Sequence, residues 1–559
     1  MRISKFYKSE DFITNGIFIP SHHNRFPKLV GYYLNFIENY LNFYFNFYCM
    51  RKVKMVRQAL GYALFSAILL STIVLFYFIS PGIFMEFDDP VYAYSTAKIQ
   101  ALQVISWGAA AYGFAFITMP FYILLNHSLF VTKIVCLFSL VITMIMLFLI
   151  GKMYESELAG MVASILYAFN PLAMAFAIRY LPDPFIAMTD SIGIAFAVYG
   201  AKNNKYWAFL LSGLFFSSGM FFGNQAAISI IAFLPFVPSL WYSFERKTLS
   251  RSKIKVTKKR GSLLKVLSYS ILGLLIIGVP YFGLQLILYH NPFYTVNGAA
   301  DFFESNQPNC FPTYLYYLYI LLSLKGDGFS CAYSLGPYNP YANPSILPIL
   351  FILASIFLIL KEKPRKKSSI VPFIIFFITF YLYVSFGSES ITHYLPLQDI
   401  DRVLIPLVLI MAVGSALILG KIKNIQLQTI TAIGIIIIYL AFSYSQYHNI
   451  YLIYNSPPNS IEWNITASVI RNFGHLNLSG YMLDENYTDM GSGILCMSFN
   501  KPPETCYGMP YTPMHEINCT DGSIFLVYLG NEQDICSNST GVYYYNTTYK
   551  YNVYIGKKK

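Results

Sequence analysis

Phe87-Asp88-Asp89-Pro90-Val91-Tyr92-Ala93-Tyr94 sets two adjacent carboxylates in a chain that is otherwise apolar and basic. A partly desolvated carboxylate can take a proton as a general base or hold a cation, and a like-charged neighbour raises its proton affinity further. A second group follows in Arg179-Tyr180-Leu181-Pro182-Asp183-Pro184-Phe185, with Asp190 two helical turns later, and a third in His393 and Arg402. A guanidinium offers a planar fork of donors to phosphate or carboxylate oxygens. Each residue also has a plainer reading. Asp88 and Asp89 before Pro90, and Asp183 before Pro184, are good helix starts. Arg402 could pair with Asp401 or snorkel to an interface, and His393 could simply be exposed. Asp190 lies inside an apolar run, where a charge is expensive, so it should face a cavity.

The elements that position these groups are membrane helices. With 559 residues, 56% hydrophobic and 12% charged, the chain lies far from a soluble domain, where about a quarter of residues are charged. Apolar runs of about 17 to 25 residues recur from Gln58 to Ser445, each long enough to cross a hydrocarbon layer of roughly 30 Å. The net charge of +12 comes from Lys and Arg in short links between these runs, which is the positive-inside pattern rather than a nucleic-acid surface. Residues 1–57 read as a cytoplasmic basic segment without a cleavable signal peptide. Its stretch from Leu29 to Met50 is interfacial in character, and a start at Met50 or Met55 would make the first 50 residues dispensable.

Parity fixes a topology. The basic loop Glu245 to Lys265 should share a side with Arg51 to Arg57, so an even number of crossings separates them. Seven apolar candidates lie between: about 58–80, 105–125, 129–152, 155–178, 184–202, 206–222 and 225–243. The run 105–125, with two Gly and a Pro, is the weakest and reads as a juxtamembrane or re-entrant element. Further spans at about 263–288, 344–360, 370–387, 402–420 and 427–446 bring the total to eleven. The expected architecture is an all-α polytopic membrane domain over 58–446, with outer loops 81–128 and 289–343.

The region 447–559 reads as a small extracytoplasmic domain, probed by three patterns. Sequons stand at Asn464, Asn477, Asn486, Asn518, Asn538 and Asn546, with another at Asn126 in the first outer loop. Cys496, Cys506, Cys519 and Cys536 share the tail, and Cys310 and Cys331 share the second outer loop; even numbers suit local disulfides with the pairing open. Ser523 to Leu529, Val542 to Tyr545 and Tyr551 to Ile555 read as strands, so the domain is expected to be β-rich.

Residues 87–205 resemble the GT-C superfamily of polyprenyl-phosphate-sugar-dependent glycosyltransferases, in its protein O-mannosyltransferase and aminoarabinose transferase branch. That branch carries D-E-x-x-Y-A in its first outer loop; here it reads Asp88-Asp89-Pro90-Val91-Tyr92-Ala93. Its second outer loop places an Arg shortly before an Asp that enters the next helix, as Arg179 and Asp183 do, and Lys202 matches the basic residue closing that helix. The likeness covers about 370 residues. It departs where the family often carries Lys after the fifth span: this chain has Gly223-Asn224-Gln225.

The resemblance implies an inverting transfer of a sugar from a polyprenyl phosphate, of the dolichyl type, to a protein, lipid or glycan acceptor on the outer face. It implies Asp88 as base, with Asp89 and Asp183 completing the catalytic set, and Tyr92, Arg179, Asp190, His393 and Arg402 as substrate-binding residues. No cofactor is demanded, although Asp88, Asp89 and Asp183 could hold one Mg2+ or Mn2+. Two other readings stay open. An oligosaccharyltransferase-like subunit would need a Trp-Trp-Asp motif, which the four separated Trp residues do not supply, and a transporter or flippase of lipid-linked sugars would show pseudo-symmetric halves.

Overall fold

The structure, a computed structural model, describes residues 54–79, 92, 96, 112–125, 131–251, 263–297, 312–322, 344–361, 369–388, 390, 393–397 and 401–455, and four strands between 478 and 557. Asp88, Asp89, the sequons except Asn546, and every cysteine but Cys136 lie outside these residues. In chain order the helices are α1 Lys54–Ile79, α2 Tyr112–Leu124, α3 Val131–Tyr154, α4 Glu157–Ala168, α5 Pro171–Ala177, α6 Asp183–Asn203 and α7 Tyr206–Ser218. They continue with α8 Ala226–Arg251, α9 Leu263–Tyr289, α10 Thr313–Leu322, α11 Leu347–Lys361, α12 Val371–Phe386, α13 Ile405–Ala416 and α14 Ile425–Asn455.

Most of these helices are apolar around their whole circumference, as expected of spans packed inside a bundle or facing lipid. Six are long and apolar enough to cross a membrane, or seven if the bent pair α4 and α5 is one span. Six other apolar helices are shorter, at 10–17 residues, so the expected eleven crossings are not all established by length. Among the shorter ones is α2: its 13 residues rise about 20 Å, less than the hydrocarbon thickness.

The run 155–178, expected as one helix, is broken. The two halves meet at 65° around Phe169 and Asn170. The Asn170-Pro171 pair explains the break: Pro171 starts α5 and Asn170 caps it, its Oδ1 accepting from Leu172 N (3.1 Å) and Ala173 N (3.3 Å). The Asn170 amide then donates to Tyr439 OH (2.9 Å) and Pro344 O (3.1 Å), and Tyr447 OH donates to Phe169 O, so α14 satisfies the backbone freed by the bend. Asn170→Ala removes four hydrogen bonds at a fully buried position and is expected to destabilise the protein by about 2–3 kcal/mol, read as a lower thermal midpoint in lipid nanodiscs.

Close helix contacts rest on small residues. A Cβ on Gly213 of α7 would lie 2.1 Å from Ser270 O of α9, and one on Gly273 of α9 would lie 2.0 Å from Leu210 O of α7. Each backbone therefore fills the notch left by the other's glycine.

The bundle has two chemically distinct ends. At one, Lys152 Nζ reaches Glu157 Oε1 (2.8 Å) and Tyr62 OH (2.5 Å), Lys421 Nζ reaches Glu155 Oε1 (3.0 Å), Lys202 Nζ donates to Met153 O (2.7 Å) and Lys361 Nζ to Lys421 O (3.3 Å). The basic links expected on one side thus converge. The opposite end, marked by the start of α3 and the far end of α1 where Lys133 Nζ donates to Tyr77 O (3.3 Å), carries the second and third chemical groups.

Four strands lie in the tail: β1 Leu478–Met482, β2 Ile524–Leu529, β3 Thr540–Asn546 and β4 Tyr551–Lys557. They form one sheet in the order β1-β2-β4-β3, with β1 parallel to β2 and the other pairs antiparallel. The last three fall on the segments read as strands, and β1 was not anticipated.

Candidate active site

Asp183 and Arg402 come together at the end of the bundle opposite the lysines, with Arg179 in the turn just before α6. Short α5 ends at Ala177, and the chain turns through Arg179 to Pro182 before α6 begins at Asp183. The turn is pinned from behind: Arg179 N donates to Phe176 O (3.3 Å), Leu181 N donates to Arg179 O (3.0 Å), and the thiol of Cys136 in α3 also donates to Arg179 O. The Arg179 guanidinium lies over the Phe176 ring, 5.6 Å from its centroid, and only 1% of the residue is exposed.

Asp183 is not the cap of its helix. Pro182 occupies that position and no side-chain cap bond forms. Instead the carboxylate faces Arg402, with Oδ1 3.8 Å from Nε, in an ion pair whose side chains are 6% and 21% exposed. Arg402 stands in the 3-10 turn Asp401–Leu404 that leads into α13. Arg402 is the more exposed of the two arginines.

Tyr92 belongs to the same neighbourhood. It is buried and packs edge-on against Phe114 of α2 (5.6 Å), which in turn meets Tyr180 (4.8 Å) and Phe185 (5.4 Å). Thr96 ties these pieces further, because its hydroxyl donates to Tyr92 O (3.0 Å) and lies within hydrogen-bond distance of the hydroxyls of Thr118 (2.9 Å) and Tyr180 (3.2 Å). The chain just after the acidic pair is therefore fastened to the Arg179–Asp183 turn. Sequence reasoning missed Thr96, Thr118 and Tyr180. The spacing of Thr96 four residues after Tyr92, on the same helical face, was a usable signal.

The remaining candidates have the following surroundings among the described residues. Asp190 is 1% exposed, two turns deeper along α6. His393 is exposed in the link between α12 and α13, its Nδ1 3.2 Å from Ser390 Oγ while Ser388 Oγ donates to its carbonyl (3.1 Å). Asn224, where a family lysine was expected, is fully engaged elsewhere: its amide donates to Thr295 O (2.8 Å), and its Oδ1 accepts from Thr295 Oγ1 (3.1 Å) and Tyr281 OH (3.4 Å). It clamps the loop after α7 to the segment after α9. No three His, Cys, Asp or Glu side chains converge as a metal site among the described residues.

Residues 110–265 match the family described as dolichyl-phosphate-mannose-protein mannosyltransferase. No curated protein matches by sequence. Among solved structures, the fold is similar to that of ArnT from Cupriavidus metallidurans bound to undecaprenyl phosphate, with a TM-score of 0.55 at 11% identity over 88% of this chain and 97% of that one. The same protein in its apo state gives a TM-score of 0.53 at 11% identity over 89% and 98%. An oligosaccharyltransferase from Archaeoglobus fulgidus aligns more distantly, at a TM-score of 0.42 and 10% identity over 77% of this chain and 63% of that one. The segment that holds Arg179 and Asp183 is thus similar to the protein mannosyltransferase family, and the chain as a whole has a multi-helix fold similar to that of ArnT.

Proposed function

We propose that the protein transfers a sugar from a polyprenyl phosphate of the dolichyl type to a protein, lipid or glycan hydroxyl, with inversion, at the extracytoplasmic end of the bundle. The observation that carries this is the Arg402–Asp183 pair beside Arg179, at the end opposite the lysines. Undecaprenyl phosphate bound to ArnT, which shares the fold, supports a lipid phosphate as the donor's leaving group. Arg402 meets that phosphate and offsets the charge that develops as the sugar leaves. Asp183 orients Arg402, and Arg179 adds positive potential from behind. Asp88 takes the proton of the acceptor hydroxyl, and Asp89 tunes it. Asp89 stands three residues before Tyr92, a reach of at most about 11 Å, which is compatible with a place beside the cluster. One base without a partner nucleophile implies a single displacement. The N-terminus is then cytoplasmic and the region 447–559 extracytoplasmic.

His393 at the exposed rim is suited to the acceptor rather than to the phosphate. A divalent cation would have to use Asp88, Asp89 and Asp183, yet the charge of Asp183 is already met by Arg402. Chelation with EDTA is accordingly expected to leave turnover within about twofold; a loss that Mg2+ or Mn2+ restores would assign the acids to a metal instead.

One feature favours a second reading: broken helices such as α4 and α5 also occur in transporters. Purified protein in nanodiscs, given a polyprenyl-phosphate-linked radiolabelled sugar and an acceptor extract, separates the two. Transfer releases free polyprenyl phosphate, whereas a flippase moves the lipid in vesicles and leaves the sugar attached. Intact donor after prolonged incubation with every acceptor class would overturn the transferase reading.

A further inference from the structure

Asp190 sits where a carboxylate has no ordinary reason to be. It lies seven residues beyond Asp183 on α6, about 10 Å deeper in the bundle, and neither carboxylate oxygen has a hydrogen-bond partner among the described residues. Facing it is Ser229 of α8, fully buried, whose hydroxyl is close enough to bear on the carboxylate but completes no hydrogen bond of ordinary geometry. On a third side stands Tyr167 of α4, also buried, its hydroxyl toward Thr143 of α3 and within electrostatic range of Asp190.

Among the described residues no positive charge stands on the helices around it at this depth; Arg179 and Arg402 lie toward Asp183 at the start of α6. Helices α4, α5, α7 and α13, and α8 from Ala226 to Phe244, contain no Lys, Arg or His. On α6 the nearest basic residue is Lys202, twelve positions on and about 18 Å away. On α3, Lys133 and Lys152 stand at the two ends of the bundle. The local field is negative for a further reason: α4 ends at Ala168, one residue after Tyr167, so its C-terminal pole is directed into the same region. An isolated carboxylate beside a negative helix end, in a membrane-embedded core, is strongly unfavourable unless a positive charge joins it.

We propose that Asp190, Ser229 and Tyr167 form a buried site for one small monovalent cation, either a sodium-sized ion or a proton, held between α6, α8 and the end of α4. Hard oxygen donors around a single positive charge are the shared chemistry of both occupants. A multivalent ion is disfavoured, because no second or third acidic, His or Cys side chain joins Asp190 among the described residues. Helix C-termini at a break in a membrane helix are a recurrent setting for such charges. The occupant would brace α6, which carries Asp183 at its start, against the broken span.

The test is thermal unfolding of the full-length protein in nanodiscs, with sodium chloride replacing choline chloride at constant ionic strength, and repeated from about pH 5 to about pH 8. A sodium ion raises the wild-type midpoint progressively with its concentration, by about 2 °C or more at saturation, and Asp190→Asn and Ser229→Ala abolish the response. A proton leaves the midpoint insensitive to sodium, but the midpoint falls as the medium is made more alkaline and Asp190→Asn flattens that fall. Tyr167 is the titratable neighbour on the facing elements, and it is present in both proteins. Either result supports the site and names its occupant. Wild type and Asp190→Asn responding identically to both variables would overturn it. Should Asp190→Asn fail to fold, Ser229→Ala decides: a response equal to wild type, or a wild type flat in both variables, overturns the proposal.

Discussion

Asp88→Asn should slow the release of polyprenyl phosphate by about 100- to 10,000-fold, while the protein still inserts and binds its lipid donor. The magnitude is that of losing a general base: the amide keeps the shape of the carboxylate and its capacity to accept one hydrogen bond, yet cannot remove a proton. A helix cap in the same position would behave differently. Asparagine is as good a cap as aspartate, so a purely structural Asp88 would leave turnover nearly unchanged. Asp89→Asn should cost less, about tenfold, by altering the charge beside the base rather than removing it. The measurement is single-turnover release of lipid phosphate from a labelled donor. If Asp89→Asn gives the larger loss, the two carboxylates exchange roles; if neither variant slows turnover, the base lies elsewhere.

Arg402→Gln is expected to lower turnover by about 100- to 1,000-fold, the usual loss when one donor to a developing anionic charge is removed. Exposure decides between the two arginines. The Arg402 side chain is 21% exposed and can meet a phosphate arriving from outside the bundle, whereas Arg179 is packed over Phe176 with 1% exposure. Arg179→Gln should therefore show mainly as a lower yield of folded protein, since it empties the buried space that the guanidinium fills over Phe176. Asp183→Asn should give a smaller loss than Arg402→Gln, about tenfold, because it releases the orientation of the guanidinium without removing its charge. In the double variant the two effects should not add: once Arg402 is gone, Asp183 has nothing left to orient. Additive losses would mean that Asp183 acts on substrate directly.

The helices were readable from the sequence because lipid demands long apolar runs, and long runs leave a plain pattern. The break at Asn170 escaped that pattern. Its signal, Asn followed by Pro, is a known helix boundary, but 155–178 was long and apolar enough to read as one span, and length overrode the local chemistry. The convergence of Asp183 with Arg402 was only partly legible. Arg179 and Asp183 are neighbours in the chain, but Arg402 reaches Asp183 only through the packing of α13 beside α6, and no spacing in the sequence encodes that contact. His393 illustrates the reverse. Its proximity to Arg402 in sequence suggested a shared task, yet hydrogen bonds to Ser388 and Ser390 hold it in its own loop. Asn224 was legible as a departure from the family and not as a clamp, because its partner Thr295 lies 71 residues on, in a different connecting segment.

The sorting of charge along α6 bears on supply as well as on geometry. Asp183 opens this helix and Lys202 closes it, with 21 residues and about 30 Å between its ends. A lipid donor resting in the leaflet at the Lys202 end holds its phosphate a whole bilayer away from Arg402. On the proposed function, such a molecule would stay out of reach until something carried its headgroup across. The protein would then draw on one monolayer's stock of donor alone, and in a living membrane its output would track the pace of that crossing whenever the near monolayer runs short.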